Sequence, residues 1–129
     1  MIHVLAVALG GAAGAVLRFG AMQATVRLFG AGFPYGTLMV NIVGSLAMGL
    51  LYQWLTARGL NDAWRGFVLV GLLGALTTFS TFSMDVVLMQ QRGEAALAVL
   101  YVALSVALSV GAAFAGIWLA RQAFQGAGA

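Results

Sequence analysis

The sequence contains no cysteine, one proline, one histidine and only three acidic residues. Without cysteine the chain forms no disulfide and offers no thiolate. The single histidine, His3, and three carboxylates leave no metal-ligating cluster and no nucleophile–base pair, so we do not expect an enzyme. All six basic residues are arginines scattered along the chain, which is not the pattern of a nucleic-acid surface.

Apolar residues instead dominate the chain. They make up 63% of the 129 residues, against 7% charged residues, and the mean hydropathy is +1.03. Too few polar residues are present to cover a soluble domain. A spanning helix needs about 20 apolar residues, and four such helices occupy nearly all of the chain. We therefore predict one all-α domain, residues 1–129, with four transmembrane helices in a lipid bilayer.

The predicted helices are separated by short turns that are rich in glycine or polar residues. The start of the chain lacks the positive region of a signal peptide, so the first helix is expected to be retained. Asn61 or Asp62 is suited to cap the third helix. The tail, residues 122–129, is weakly patterned and is expected to fray. The predicted helices cover about residues 2–28, 37–56, 66–90 and 95–119.

The third helix contains the most unusual stretch of the chain. Five of the seven residues at 77–83 carry hydroxyls, inside an otherwise apolar segment. In hydrocarbon each hydroxyl and each freed backbone group needs a partner within the protein. Gly71 and Gly74, just upstream, lower the cost of non-helical dihedrals and let backbones approach closely. We predict a break in this helix between residues 74 and 80, around a permeation or ion site.

The first helix carries a small-residue face and a buried-looking charge. Gly10 and Gly14 form a GxxxG pair, for which close helix packing is the favoured interpretation. Arg18 lies well within the segment, where an arginine is costly unless it is paired or snorkels to the interface. It is an interfacial anchor if the membrane ends near Phe19, and a functional residue otherwise. The sequence leaves both interpretations open.

Asn41, in the second helix, and two phenylalanines in the third are candidate site residues. An asparagine at such a position commonly holds helices together, but its amide also offers donors to an anion. Phe79 and Phe82 are three residues apart and share a face if this half is helical. They are either core residues or a pair of rings whose positive edges line an anion path.

The fourth helix has one polar stripe. Tyr101, Ser105 and Ser109 recur at a spacing of four residues, which places them on one face of the helix. Such a stripe faces a neighbouring helix or a water-filled groove.

The arginines near helix ends give little charge asymmetry. Arg58, Arg65 and Arg121 belong to one side of a four-helix topology, and Arg27 and Arg92 to the other. The positive-inside rule needs a larger difference to fix an orientation. The subunit is therefore expected to insert both ways and to pair as an antiparallel dimer.

The sequence resembles the CrcB/Fluc family of fluoride channels over its whole length. The resemblance rests on residues 10–18, residues 36–44 and above all on the run Thr-Thr-Phe-Ser-Thr-Phe-Ser at 77–83. It implies an antiparallel, dual-topology homodimer in the inner (plasma) membrane that exports fluoride passively and lowers cytoplasmic fluoride. Spacing and composition alone do not separate fluoride from chloride. Two positions depart from the family pattern: Asp85 replaces a frequent glutamate and Ala75 a frequent glycine.

The resemblance also implies roles for individual residues. The backbone carbonyls of Gly74 and Thr77 would hold a structural sodium ion at the dimer interface, and Arg18 would lie near the vestibule. The residues that match the fluoride pore are Asn41, Phe79, Phe82, Tyr101, Ser105 and Ser109.

Two other classes of membrane protein fit the hydropathy. A small proton-coupled multidrug exporter needs a titratable residue in the membrane, and Asp85 is the only candidate for it. A non-transporting assembly subunit would use the hydroxyl run simply to hold helices together.

Overall fold

The computed structural model describes residues 1–127, and within this range the regular elements are all helical. Among the described residues, four segments are long and apolar enough to cross a membrane: α1, α2, the segment Asp62–Gln91, which we call the third span, and α6. The chain is thus a multi-pass membrane protein, as predicted. The elements in order are α1 (Ile2–Phe29), α2 (Tyr35–Arg58), α3 (Asp62–Arg65), a π-helix (Gly66–Leu73), α4 (Gly74–Leu76), α5 (Phe79–Gln91) and α6 (Ala95–Ala127).

The helix ends differ from the predicted boundaries mainly in the first two loops, on either side of α2, and at the end of α6. The third span begins at Asp62, and Asn61 caps it by accepting a hydrogen bond from Trp64 N at 3.1 Å. α6 continues to Ala127, so the prediction of a frayed tail was wrong up to that residue; residues 128–129 lie outside the described range. The tail lacks apolar periodicity, but its alanine and glutamine residues are good helix formers.

α1 packs against the π-helix through direct backbone contact. A Cβ atom on Gly10 would collide with the carbonyl oxygen of Phe67, and one on Gly14 with that of Leu72. Only glycine permits this approach, so the packing interpretation of the GxxxG pair is confirmed. Gly71 meets the backbone of α1 in the same way from the other side.

Two apolar clusters hold the remaining helices together. One lies where α5 meets α6 and contains Phe82, Met89 and Tyr101; Met89 and Tyr101 are fully buried. The other joins α2 to the π-helix through Leu55 and Leu73. Along the third span, the stretch between these two clusters contains Thr77 and Thr78.

The backbone at Thr77 and Thr78 is extended. Thr77 has φ −79° and ψ 156°, and Thr78 has φ −151° and ψ 120°, between the end of α4 and the start of α5. Gly74 is helical, with φ −62° and ψ −35°. The expectation that Gly74 provides the non-helical dihedrals was therefore wrong: both extended residues are threonines, whose β-branched side chains favour extended backbone.

Candidate functional site

The side chain of Asn41 binds both backbone groups of Thr78. Asn41 Oδ1 accepts from Thr78 N at 2.7 Å, and Asn41 Nδ2 donates to Thr78 O at 3.0 Å. An amide in this arrangement replaces the hydrogen bonds that an extended residue loses when it leaves a helix. The second N–H of Asn41 Nδ2 has no partner in residues 1–127. Asn41 thus holds α2 to the third span and still has one free donor.

Thr78 also caps α5. Its Oγ1 accepts from Thr81 N at 3.2 Å and donates to Thr81 Oγ1 at 3.1 Å. Other hydroxyls of the run bond back by one turn, since Thr77 Oγ1 donates to Leu73 O and Ser83 Oγ to Phe79 O. The hydroxyls of these four residues are therefore used to build the local backbone, which identifies them as structural groups.

A cavity of about 350 Å³ opens beside the extended residues, between α2, α5 and α6. The hydroxyls of Ser105 and Ser109 are buried and have no hydrogen-bond partner within the described residues. Five of the six residues predicted for a pore line this cavity: Asn41, Phe79, Phe82, Ser105 and Ser109. The sequence-based site residues from three separate helices are thus brought together around one space, and no ionisable side chain lines it.

The two phenylalanines of the site have different environments. Their ring centroids are 5.5 Å apart, with 46° between the ring planes, so they share a face of α5 as predicted. Phe82 is 9% exposed, whereas Phe79 is 79% exposed. Phe82 forms one wall of the cavity within the subunit, and Phe79 stands at its open edge.

Tyr101, the sixth predicted pore residue, does not line the cavity. It is fully buried, its ring lies 5.3 Å from that of Phe82, and its hydroxyl donates to Asp85 Oδ2 at 2.9 Å. Sequence reasoning missed this hydrogen bond, because the two residues belong to different helices and no spacing relates them. Tyr101 thus packs against Phe82 without lining the cavity itself.

Arg18 reaches the extended backbone from α1. Its Nη1 donates to the carbonyl oxygen of Thr77 at 3.4 Å. The residue lies near the middle of α1, and that helix continues well past Phe19 to Phe29. These observations favour a role at the centre of the bundle over a role as an interfacial anchor.

The carbonyls of Gly74 and Thr77 are candidates for cation ligands. In a continuous helix the Thr78 N–H would bond the carbonyl of Gly74, but here it donates to Asn41. Thr77 O accepts only the bond from Arg18. Within residues 1–127 no three histidine, cysteine, aspartate or glutamate side chains are grouped as a metal site. The available donors are neutral backbone oxygens, which fit a hard cation.

Comparison with known proteins identifies relatives along nearly the whole chain. The family profile described as CrcB-like protein, Camphor Resistance (CrcB), matches residues 5–117. A protein of Hyphomonas neptunium named fluoride-specific ion channel FluC is 51% identical over 122 residues, which are 93% of this chain and 96% of that protein. A protein of the same name from Photobacterium profundum is 53% identical over 115 residues, or 88% of this chain and 90% of the relative.

A third relative of that name, from a Caulobacter species, is 46% identical over 126 residues, covering 96% of this chain and 98% of its own length. The match thus includes all four spans and the extended threonines between α4 and α5. The chain therefore belongs to the CrcB family.

Proposed function

We propose that this protein is a fluoride channel that lets fluoride leave the cell passively and so lowers its cytoplasmic concentration. The observation that carries the proposal is the cavity in which Asn41, Phe82 and two unpaired serine hydroxyls meet. The names of the relatives, about half identical to this chain, specify fluoride. The inner membrane is the proposed location, because passive export of a cytoplasmic ion requires it.

The lining of the cavity suits a small anion that exchanges water for hydrogen bonds. Asn41 has one free N–H, and Ser105 and Ser109 each have a free hydroxyl. The serines are one turn apart on α6, so their donors are separated by about 6 Å along the helix. An anion can pass between such donors without a formal charge to trap it. The ring edges of Phe79 and Phe82 add positive electrostatic potential.

The cavity also supports assembly as an antiparallel homodimer. It is open on the side where Phe79 projects, with 79% of that residue exposed. A second copy placed there would close the cavity and cover Phe79. The near-equal numbers of arginines at the two ends of the bundle support opposite orientations of the two copies. Two copies related by a two-fold axis would form two equivalent pores.

A structural sodium ion at the dimer interface is part of the proposal. The ligands would be the carbonyls of Gly74 and Thr77 from both subunits, arranged around the two-fold axis. The extended backbone at Thr77 and Thr78 supports this assignment, because it leaves these oxygens without helical donors. The positive charge of a bound cation would satisfy the carbonyls of both subunits. The two spans would then be held together without any carboxylate ligand.

The two other classes of function receive less support. Asp85 is the only carboxylate in α5. It accepts a hydrogen bond from buried Tyr101 and does not line the cavity. A proton carrier of an exporter would need access to the transport path. A purely structural subunit would have no use for two buried hydroxyls left unpaired.

Fluoride efflux from liposomes containing the purified protein tests the function. Liposomes loaded with potassium fluoride should release fluoride rapidly once valinomycin lets potassium leave as well and so prevents a membrane potential from opposing efflux. No pH gradient should be required. Liposomes loaded with potassium chloride are the matched control and should retain their chloride. Flux only in the presence of a pH gradient would indicate an exporter, and no flux from correctly assembled protein would indicate a structural subunit.

A further inference from the structure

In the isolated subunit the positive charge of Arg18 has few polar partners. No carboxylate forms an ion pair with it in residues 1–127, and its single hydrogen bond goes to Thr77 O. At 3.4 Å that bond is longer than the usual range for N–H···O. An arginine at the depth of the membrane needs a partner. A partially satisfied guanidinium of this kind is free to exchange that partner for another.

Thr77 O is also one of the carbonyls that the proposed function assigns to sodium. We propose that Arg18 and the interfacial cation are alternative partners of this oxygen. This inference rests on the proposed function. Arg18 holds the extended backbone in the unassembled subunit, and the cation replaces it when two subunits meet. Arg18 is thus a positioning residue that delays tight cation binding until the dimer forms.

Electrostatic repulsion makes the two partners exclusive. A carbonyl oxygen has two lone pairs, so geometry alone would allow it to accept from both. Two positive charges about 4 Å apart in a medium of low dielectric constant, however, repel strongly. The cation gains further carbonyls from the second subunit, whereas Arg18 has only Thr77 O. Assembly therefore shifts the competition toward the cation.

The half-effective sodium concentration for stabilisation of the dimer tests this competition. Purified protein in detergent is heated in mixtures of sodium and N-methylglucamine at constant ionic strength, and the loss of dimer is followed by cross-linking. A ligand that binds only the assembled state raises the temperature of dissociation. Arg18→Met, which removes the competing charge, should reach half of this effect at about tenfold lower sodium. Arg18→Lys keeps the charge and should resemble the parent.

A matched control is Arg27→Met, at an exposed position near the end of the same helix. It should leave the sodium midpoint unchanged. A second neutral variant, Arg18→Gln, covers the case in which Arg18→Met does not assemble, and its midpoint should fall in the same direction. An unchanged or higher midpoint in the neutral variants would overturn the proposal. So would failure of both to form dimers at any sodium concentration, because Arg18 would then be required in the assembled state.

Fluoride efflux measured on the same preparations separates this inference from the proposed function. If the parent conducts fluoride but its stability does not depend on sodium, the channel assignment stands and the competition is refuted. If the sodium midpoint shifts as expected but no preparation conducts fluoride, the competition stands and the channel assignment fails.

Discussion

The amide of Asn41 is paired with Thr78 as one strand residue pairs with another, accepting from its N–H at 2.7 Å and donating to its carbonyl at 3.0 Å. The two residues belong to different spans, and the pairing replaces the helical hydrogen bond that the Thr78 N–H does not make. The same amide lines the cavity. Structural support and the proposed contact with fluoride therefore depend on one side chain.

Asn41→Asp tests this double role. The carboxylate cannot donate to Thr78 O and places a second acceptor against it, so we expect a loss of stability of about 1–3 kcal/mol. The negative charge at the cavity should also lower fluoride efflux at least tenfold. Both are measured on the same sample, by thermal denaturation and by liposome efflux. Gln90→Glu, at an exposed position of α5, is the matched control and should change neither; parent-like efflux in Asn41→Asp would remove this residue from the path.

Ser105→Ala and Ser109→Ala should separate stability from conduction. Their hydroxyls are buried without a partner, so removing them eliminates an uncompensated desolvation cost and should leave stability unchanged within about 0.5 kcal/mol or slightly raised. Efflux should fall several-fold, because a donor is lost from the path. Ser83→Ala is a control, since Ser83 does not line the cavity and its hydroxyl donates to Phe79 O. A loss of stability with normal efflux would show that the serines serve packing instead.

Phe82→Ile should reduce efflux while keeping a folded protein. Isoleucine retains apolar bulk beside Tyr101 but removes the aromatic ring that lines the cavity. The cost in stability should be about 1–3 kcal/mol, since Phe82 is almost fully buried. The measurement is fluoride efflux divided by the amount of folded protein. Phe114→Ile, at an exposed position of α6, is the matched control and should conduct like the parent. Equal efflux would return Phe82 to the role of a core residue.

Gly74→Ala and Gly74→Leu report on the proposed interface. Gly74 is exposed and helical, and a Cβ on it would meet only Leu69 O at an ordinary distance of 3.6 Å. The alanine variant should therefore fold and assemble with little change. A leucine would project from the subunit toward the second copy and should weaken the dimer without unfolding the monomer, as judged by cross-linking and circular dichroism. Normal dimers in the leucine variant would place the interface elsewhere.

A single cysteine tests dual topology, because the natural chain has none. Gln125→Cys lies at an exposed position near the end of α6. In intact cells a membrane-impermeant maleimide should label about half of this variant, and lysis should expose the rest. Labelling of all or none of the intact-cell sample would establish a single orientation. Gln23→Cys, toward the other end of the bundle, should give the same half-labelling.

Local chemistry along the sequence predicted the number of spans and the glycine packing of α1, whereas the set of residues around the cavity came from the resemblance to the family. Periodicity places Ser105 and Ser109 on one face, and that face is where the cavity lies. The sequence did not predict the pairing of Asn41 with Thr78, the bond from Arg18 to Thr77 or the bond from Tyr101 to Asp85. Each of these joins residues from different helices, whose mutual position depends on tertiary packing and not on spacing along the chain.

The glycine contacts between α1 and the π-helix have a mechanical consequence. With backbone against backbone at Gly10 and Gly14, no side chain separates the two elements at these positions, so we expect them to move together as one body. α5 has no comparable glycine contact with that body: the extended residues Thr77 and Thr78 connect it to α4, and the N–H of Thr78 makes no helical hydrogen bond. A tilting motion of the third span is therefore concentrated at these two threonines. Such a hinge would move Phe79 and Phe82 together while the first half of the span stays fixed.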